Sequence, residues 1–362
     1  MLKFLRRVFM LSFMLVLSLS ASGVFAAEAR NDVAAGAMKE KNLYIYGAVG
    51  KKVADPVVAA FEAKYPGIKV DFIEMSGLEV FNRHMRDLGG RRVSADILWS
   101  SEIELQAALL RDNYALSYHS PESAHIYPWA NMGDLAYATA YEPIAMAYNT
   151  RLVSAKDLPN THQGLLKFVS SAAFKGKIAL CDPEKNGLSF IFLTQEQWSV
   201  KNFWKLIKGF ETTGFQQYSD YTALLDSIAN GTALFGYNIP SRELFGRAKS
   251  DPSIGWFYSQ EQTLALPQSV IIAKGATNPN AARLWVDFLL SKEGQEIISQ
   301  NSDLYPVRGD AEGGAITKGP QKLPTGRAFK PILPGEELTR YNQSGLRRGF
   351  VLKWKQSLKL AK

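Results

Sequence analysis

Four strand-to-helix junctions in this sequence gather small, hydroxylated or amide residues: Ala48 and Val49 with Lys51, Ser76-Gly77, Ser100-Ser101, and Asn186 with Ser189. The first N–H groups of a helix lack intrahelical partners and carry the positive end of its dipole, so such turns suit a small anion. A serine in that place also serves as a plain helix cap, and both roles stay open for each one. Lys51 adds a cation or is a solvated lysine. Further along, Gly236-Tyr237-Asn238 sets a tyrosine in a short apolar strand just ahead of Pro240, with Ser241 and Arg242 beyond the proline. Tyr237 suits three roles: a hydrogen-bond hook for an anionic or hydroxylated ligand, a core or hinge side chain, or a phenolate metal ligand. Arg242 has the fork geometry to clamp a phosphate or carboxylate, or it faces water.

Catalytic signatures are missing. The run from Gly187 through Leu188, Ser189 and Phe190 to Ile191 lacks the second glycine of a nucleophile elbow, and residues 47–52 are too short for a phosphate-binding loop and lack its Ser/Thr. Spacing alone brings no Ser/His/Asp set and no carboxylate pair together. His84, His119, His125 and His162 show no metal-ligand spacing, and Cys181, the single cysteine, builds neither a thiolate cage nor an internal disulfide. The sequence therefore points to a binding protein with no enzymatic activity, no cofactor and no resident metal.

The elements that must hold these residues are legible in the hydrophobic pattern. The chain has 362 residues, 46% hydrophobic and 21% charged, an ordinary globular composition with room for two lobes. Lys3, Arg6 and Arg7 precede an apolar run from Val8 to about Leu19 that ends in small residues near Ala26, the pattern of a secretory signal peptide over residues 1–26. Its removal would lower the formal charge from +8 to +5, because the segment holds no acid. A mild positive charge without a Lys/Arg stripe argues against nucleic acid. After Asn42 the pattern reads strand, helix, strand, with Asp55 expected to cap the first helix and Pro56 at its first position. A second helix starts at Ser76 with Leu78, Phe81, Met85 and Leu88 on one face, and a third is expected to start with a Ser101/Glu104 capping box. Residues 141–153 are a long β-rich run. A strand at residues 176–183, a helix after Gly187, a helix over 221–229, a strand over 232–238, a strand over 266–274 and a helix from Asn278 recapped near Ser291 follow. Residues 309–335 read as irregular, and residues 346–360 as a basic amphipathic helix that packs Phe350, Val351 and Trp354 on the body.

In this order the segments resemble the periplasmic solute-binding proteins of ABC importers, in the ferric-ion and sugar-phosphate branch of the type II periplasmic binding fold. Residues 43–70 look like that family's first strand, binding loop and helix, 95–115 like its second binding turn, 141–153 like its first crossover, and 176–190 like the binding turn of its second lobe. Residues 269–307 resemble its return segment most closely. The resemblance implies an α/β fold of two lobes, 28–142 plus 268–362 and 143–267, joined by two crossover strands around a central ligand cleft that closes by a hinge. It also implies a periplasmic, monomeric protein that hands a small anionic ligand, such as a phosphorylated or phosphonate compound, to an ABC permease in the inner membrane. Ferric iron as the transported ligand, with Tyr237 as its phenolate, is the alternative, although the adjacent tyrosine pair of the ferric branch is reduced here to one. A ligand sensor for a membrane signalling protein is a further reading.

Overall fold

The computed structural model describes residues 32–159, 161–312 and 326–360; the expected signal peptide lies outside them. The first part runs α1 (residues 32–40), β1 (Asn42–Gly47), α2 (Lys51–Lys64), β2 (Lys69–Glu74), α3 (Gly77–Gly89), β3 (Ile97–Ser100) and α4 (Ile103–Arg111). The long strand β4 (Tyr137–Asn149) leads into α5 (His162–Val169), β5 (Ile178–Cys181), α6 (Gly187–Ser199), α7 (Phe203–Thr213), β6 (Phe215–Tyr218), α8 (Tyr221–Ala229), β7 (Phe235–Pro240), α9 (Ser241–Ser250) and β8 (Ile254–Phe257). Then β9 (Thr263–Ile272) returns to the first part, followed by α10 (Pro279–Leu290), α11 (Lys292–Asn301), β10 (Phe329–Pro331), α12 (Glu336–Thr339) and α13 (Ser344–Ser357).

Among the described residues the strands are ordered β2-β1-β3-β9-β4-β7-β5-β6, with β10 added on β9 and β8 on β4. β1 pairs parallel with β2 and β3, so their C-terminal ends share one edge. β5 likewise pairs parallel with β6 and β7. Register shows how the two groups face. Ser100 at the end of β3 is level with Ser269, and Ser269 is level with Ala138 of β4. Pro240, at the end of β7, is level with Ile144 of the same strand. The strand ends of the two groups therefore point at each other, separated by the six-residue step from Ala138 to Ile144, roughly 20 Å of extended chain.

Both passing strands are buried from end to end. One side of the passage is backed by aromatic rings: Tyr141 stacks on Tyr305 at 5.4 Å and meets Phe329 and Trp129 edge-on at 5.1 and 5.5 Å. A buried amide ties the passage to the first lobe. Gln295, fully buried on α11, donates from Nε2 to the carbonyls of Thr139 (2.7 Å) and Leu289 (2.8 Å) and accepts the Val307 amide (2.7 Å). The Thr139 hydroxyl in turn accepts from Trp99 Nε1 at 2.8 Å and donates to the Gln268 carbonyl at 3.1 Å.

Local departures from the sequence reading have physical causes. α2 starts at Lys51 rather than after Asp55, with Pro56 inside it. The Val53 and Ala54 amides both bond the Gly50 carbonyl, and their buried side chains anchor that extra turn ahead of the proline. On α3 the buried residues are Gly77, Val80 and His84, while Leu78 is exposed, so the buried stripe is rotated from the one expected. The segment expected to be irregular contains β10, which extends β9. As expected, α13 buries Phe350 and Trp354; Phe350 meets Phe190 of α6 and Trp204 of α7 at 5.5 Å each, which seats the last helix on the 143–267 part of the chain.

Gln295→Leu keeps the volume but strands two carbonyls and one amide in a dry interior. Unpaired buried groups cost about 1–3 kcal/mol each, so the urea midpoint should fall by the equivalent of about 3 kcal/mol with an unchanged m-value. A loss below about 1 kcal/mol would show that the amide does not tie the passage together.

Candidate functional site

The first-lobe side of the gap is built from the starts of α2, α3 and α4. α2 is capped by Gly50 at φ 73° with no side-chain bond, so its first amides, Lys51 and Lys52, are left to the gap. Val49 is buried beside them, and the Lys51 side chain is exposed. The Ala48 amide donates to the Trp99 carbonyl (2.8 Å), spending it on the sheet. Ser76 forms a capping box with Glu79: its hydroxyl donates to Glu79 Oε2 at 2.8 Å and accepts the Glu79 amide at 3.3 Å. At α4 the expected Ser101/Glu104 box does not form. Ser100 Oγ takes the Glu102 amide (3.1 Å) and the Ser101 carbonyl takes the Ile103 amide (2.8 Å), which moves the cap position to Glu102. Gly77 packs against this turn; a Cβ there would lie 2.8 Å from Ser100 Oγ and 2.0 Å from Glu102 Cγ. Gly77, Ser100 and Glu102 are thus in contact, with Ala48 bonded to the same strand end.

Across the gap stand the starts of α6, α8 and α9. Asn186 caps α6 by accepting the Ser189 amide at 2.9 Å, and the buried Ser189 hydroxyl donates to the Cys181 carbonyl at 2.8 Å. Burial pushes the Cys181 thiol up to about 12, so it is protonated at neutral pH. Asp220 caps α8 through the Ala223 amide at 2.8 Å. Tyr221, next in sequence, is 6% exposed, and its hydroxyl lies against the Ser189 side chain without a well-aligned hydrogen bond. It lies close enough to Cys181, Ser189 and Glu142 to feel all three, and burial, the largest effect, raises its pKa far above the usual phenol value. Ser241 opens α9, is fully buried, and its hydroxyl is unpartnered. The amide of Arg242 donates to Glu142 Oε1 at 2.8 Å, while the Arg242 side chain lies exposed in a groove of about 300 Å³ between α8 and α9. Glu142 projects from the middle of the passage in β4; burial raises its pKa, and the Arg242 charge and amide partly offset this.

Ser189, Asn186 and the Arg242 backbone are thus brought to one place with three residues that the sequence reading did not select as site residues: Tyr221, Glu142 and Ser241. Two signals were available. The junction from Tyr218 to Tyr221 has the same strand-to-helix pattern as the four that were chosen, and Glu142 is a lone acid in an apolar strand.

Tyr237 is elsewhere. Its ring packs on Phe210 inside the second lobe (5.2 Å), and its hydroxyl donates to Glu196 Oε2 at 2.7 Å, as does Asn238 Nδ2 at 2.7 Å. Asn238 holds φ 56°, which turns its amide onto the same carboxyl. Burial raises Glu196 to about 7, with the two donors pulling it back. Ile144, Ala145, Met146, His162 and Gln262 close over this cluster.

Among the described residues no three His, Cys, Asp or Glu side chains are grouped to cage a metal, and no helix is long and apolar enough to cross a membrane. A sequence profile described as bacterial extracellular solute-binding protein matches residues 57–325. A Salmonella typhimurium protein provisionally named as 2-aminoethylphosphonate-binding and periplasmic is 24% identical over 257 residues, 68% of this chain and 72% of its own. The crystal structure of a substrate-binding protein of an ABC transporter from Agrobacterium tumefaciens is 26% identical, with a TM-score of 0.66 over 88% of this chain and 94% of that one. Iron-bound HitA from Pseudomonas aeruginosa has 19% identity and a TM-score of 0.65, covering 85% and 98% of the two chains. AfuA from Actinobacillus pleuropneumoniae with fructose-6-phosphate has 22% and 0.61, covering 89% and 100%. The architecture is the type II periplasmic binding fold expected from the sequence.

The Glu196 cluster gives a pH test. A carboxyl raised from 4.5 to about 7 binds its proton more tightly in the folded chain, so its burial penalty is absent below pH 4.5, grows as pH rises, and is complete above about 7. The penalty is on the order of 3 kcal/mol. Glu196→Gln should therefore gain stability relative to the parent between pH 5 and 8, seen as melting temperatures that diverge by several degrees. Parallel curves would mean that Glu196 titrates near its ordinary value.

Proposed function

This chain belongs to the bacterial extracellular solute-binding protein family, and from that premise we propose that it captures a small phosphonate or phosphorylated compound between its lobes for delivery to an ABC permease. The observation that carries the reading is a pair of buried hydroxyls at the convergent starts of α6, α8 and α9: Ser241, which has no partner, and Tyr221, which has only the Ser189 side chain beside it. A buried hydroxyl without a partner costs free energy, and a ligand oxygen that accepts from it removes that cost. A tetrahedral oxyanion presents several acceptor oxygens to such donors and to the positive ends of the helices. The provisional name of the Salmonella relative and the sugar phosphate in the AfuA structure agree with this chemistry.

The lobes proposed are 28–142 plus 268–362 and 143–267, divided at the passing strands, with α13 of the first range packed on α6 and α7 of the second. Closure would be a hinge at the passage. Ferric iron remains the second reading on one observation: Tyr221 and Glu142 are a phenol and a carboxyl close together at the gap, and hard oxygen donors of that kind suit Fe(III). Iron would then use Tyr221, because the hydroxyl of Tyr237 is committed to Glu196.

The test is a melting-temperature panel on ligand-stripped protein with phosphate esters, phosphonates, carboxylates and ferric citrate. A ligand at 100 times its Kd stabilises by about 2.7 kcal/mol, enough to read. Phosphonates or phosphate esters should give the shift. Ser241→Ala should weaken their binding by about tenfold while leaving the ligand-free melting temperature equal or higher, since it removes an unsatisfied group. A shift with ferric citrate alone, with a visible band lost in Tyr221→Phe, would establish the iron reading instead.

A further inference from the structure

β7 reaches the gap with one residue more than the strand it pairs with. Between the level pairs Gly236–Ala147 and Ile239–Ala145, β7 advances three residues and β4 only two, so Tyr237 and Asn238 stand against Met146 alone. An extra residue in one strand inverts the faces of everything after it, because side chains alternate along a strand. Ser241 opens α9 just beyond Ile239 and Pro240, so the direction in which it leaves the sheet is set by this bulge.

Two side chains hold the bulge in place. Asn238 sits in it at φ 56°, in the left-handed region that most side chains avoid. Tyr237 and Asn238 are neighbours in a strand, and alternation would send them to opposite faces; instead both donate to Glu196 Oε2, at 2.7 Å each. Glu196 is buried about two turns beyond Ser189 on α6, the helix whose start supplies Asn186 and Ser189. Its carboxyl therefore ties the bulge of β7 to the helix that carries the other part of the second-lobe site. A regular ladder between β7 and β4 would need no left-handed residue, and a backbone held in such a conformation persists where its surroundings over-determine it.

We infer that Asn238 and Glu196 are positioning residues of the binding site: the bond between them keeps β7 bulged, and the bulge presents the Ser241 hydroxyl and the Arg242 amide, itself held by Glu142 at 2.8 Å, at the start of α9. This assignment rests on the proposed use of Ser241 by an oxyanion and adds the device that puts Ser241 in place. Asn238 and Glu196 act through β7 and do not themselves meet the ligand.

The test compares substitutions that keep the bulge with others that release it, by titration calorimetry with 2-aminoethylphosphonate and fructose 6-phosphate below the melting temperature of each variant. Glycine adopts the left-handed conformation freely and alanine does not, so Asn238→Gly should hold the Kd within about threefold of the parent while Asn238→Ala weakens it about tenfold. Glu196→Gln keeps an oxygen that accepts from both donors and should bind as the parent does, whereas Glu196→Leu should lose affinity as Asn238→Ala does. The two loss variants are independent, so either one carries the test if the other fails to fold. Lowered melting temperatures with parental Kd values in Asn238→Ala and Glu196→Leu would make the cluster purely structural, overturning the assignment and leaving the reading of the cleft intact. Equal losses in Asn238→Gly and Asn238→Ala would overturn it too, because the backbone conformation would then not be what matters. A parent protein that binds neither compound removes the reading of the cleft and this assignment together.

Discussion

β4 and β9 run antiparallel through the middle of the molecule, buried along their whole length, and the position of every other element follows from that ladder. A backbone buried so completely must pair its N–H and C=O groups, and the pairing sets which residue of one strand stands level with which of the other. Because β3 joins one end of the ladder and β7 the other, the two groups of parallel strands have to present their C-terminal ends to one another. Two register shifts, between Ala138 and Ala140 and between Ala145 and Ala147, bracket the stretch that crosses the gap. Bulges of this kind locally break the ladder and re-aim side chains, and here they flank Tyr141, which turns into the aromatic stack, and Glu142, which turns toward the second-lobe helix starts.

Two buried polar clusters in the second lobe differ in which groups are spent. Around Glu196 the two donors are both engaged: Tyr237 and Asn238 donate to the same carboxyl oxygen. Around Glu142 the account does not close: the Ser241 hydroxyl has no partner, and Tyr221 has only the Ser189 side chain beside it. Natural interiors leave few polar groups unpaired. Such groups at the convergence of three helix starts carry the proposed reading, whereas the Tyr237 hydroxyl is held by Glu196.

Much of the fold was legible in the sequence. The helix over 221–229, the cap at Ser76 and the recapping at Ser291 appear where periodicity and cap residues put them, because these depend on interactions a few residues apart. Where a boundary depended on distant packing it moved. α2 extends back past Asp55 because Val53 and Ala54 find a core to enter, and α4 starts late because Ser100 Oγ takes the Glu102 amide and moves the cap position to Glu102.

The site divides in the same way. Local sequence determined that helix starts would line the strand ends and that no catalytic set or thiolate cage was spelled out. Only tertiary structure decided which polar groups were spent and which were left free. Tyr237 lost its candidacy to a carboxyl 41 residues away on α6, and Glu142 gained one by meeting an amide 100 residues away. A hydrogen bond satisfied by a distant partner has no signature in the residues beside it, so the inventory of donors can be read from a sequence, and their availability to a ligand is settled by folding.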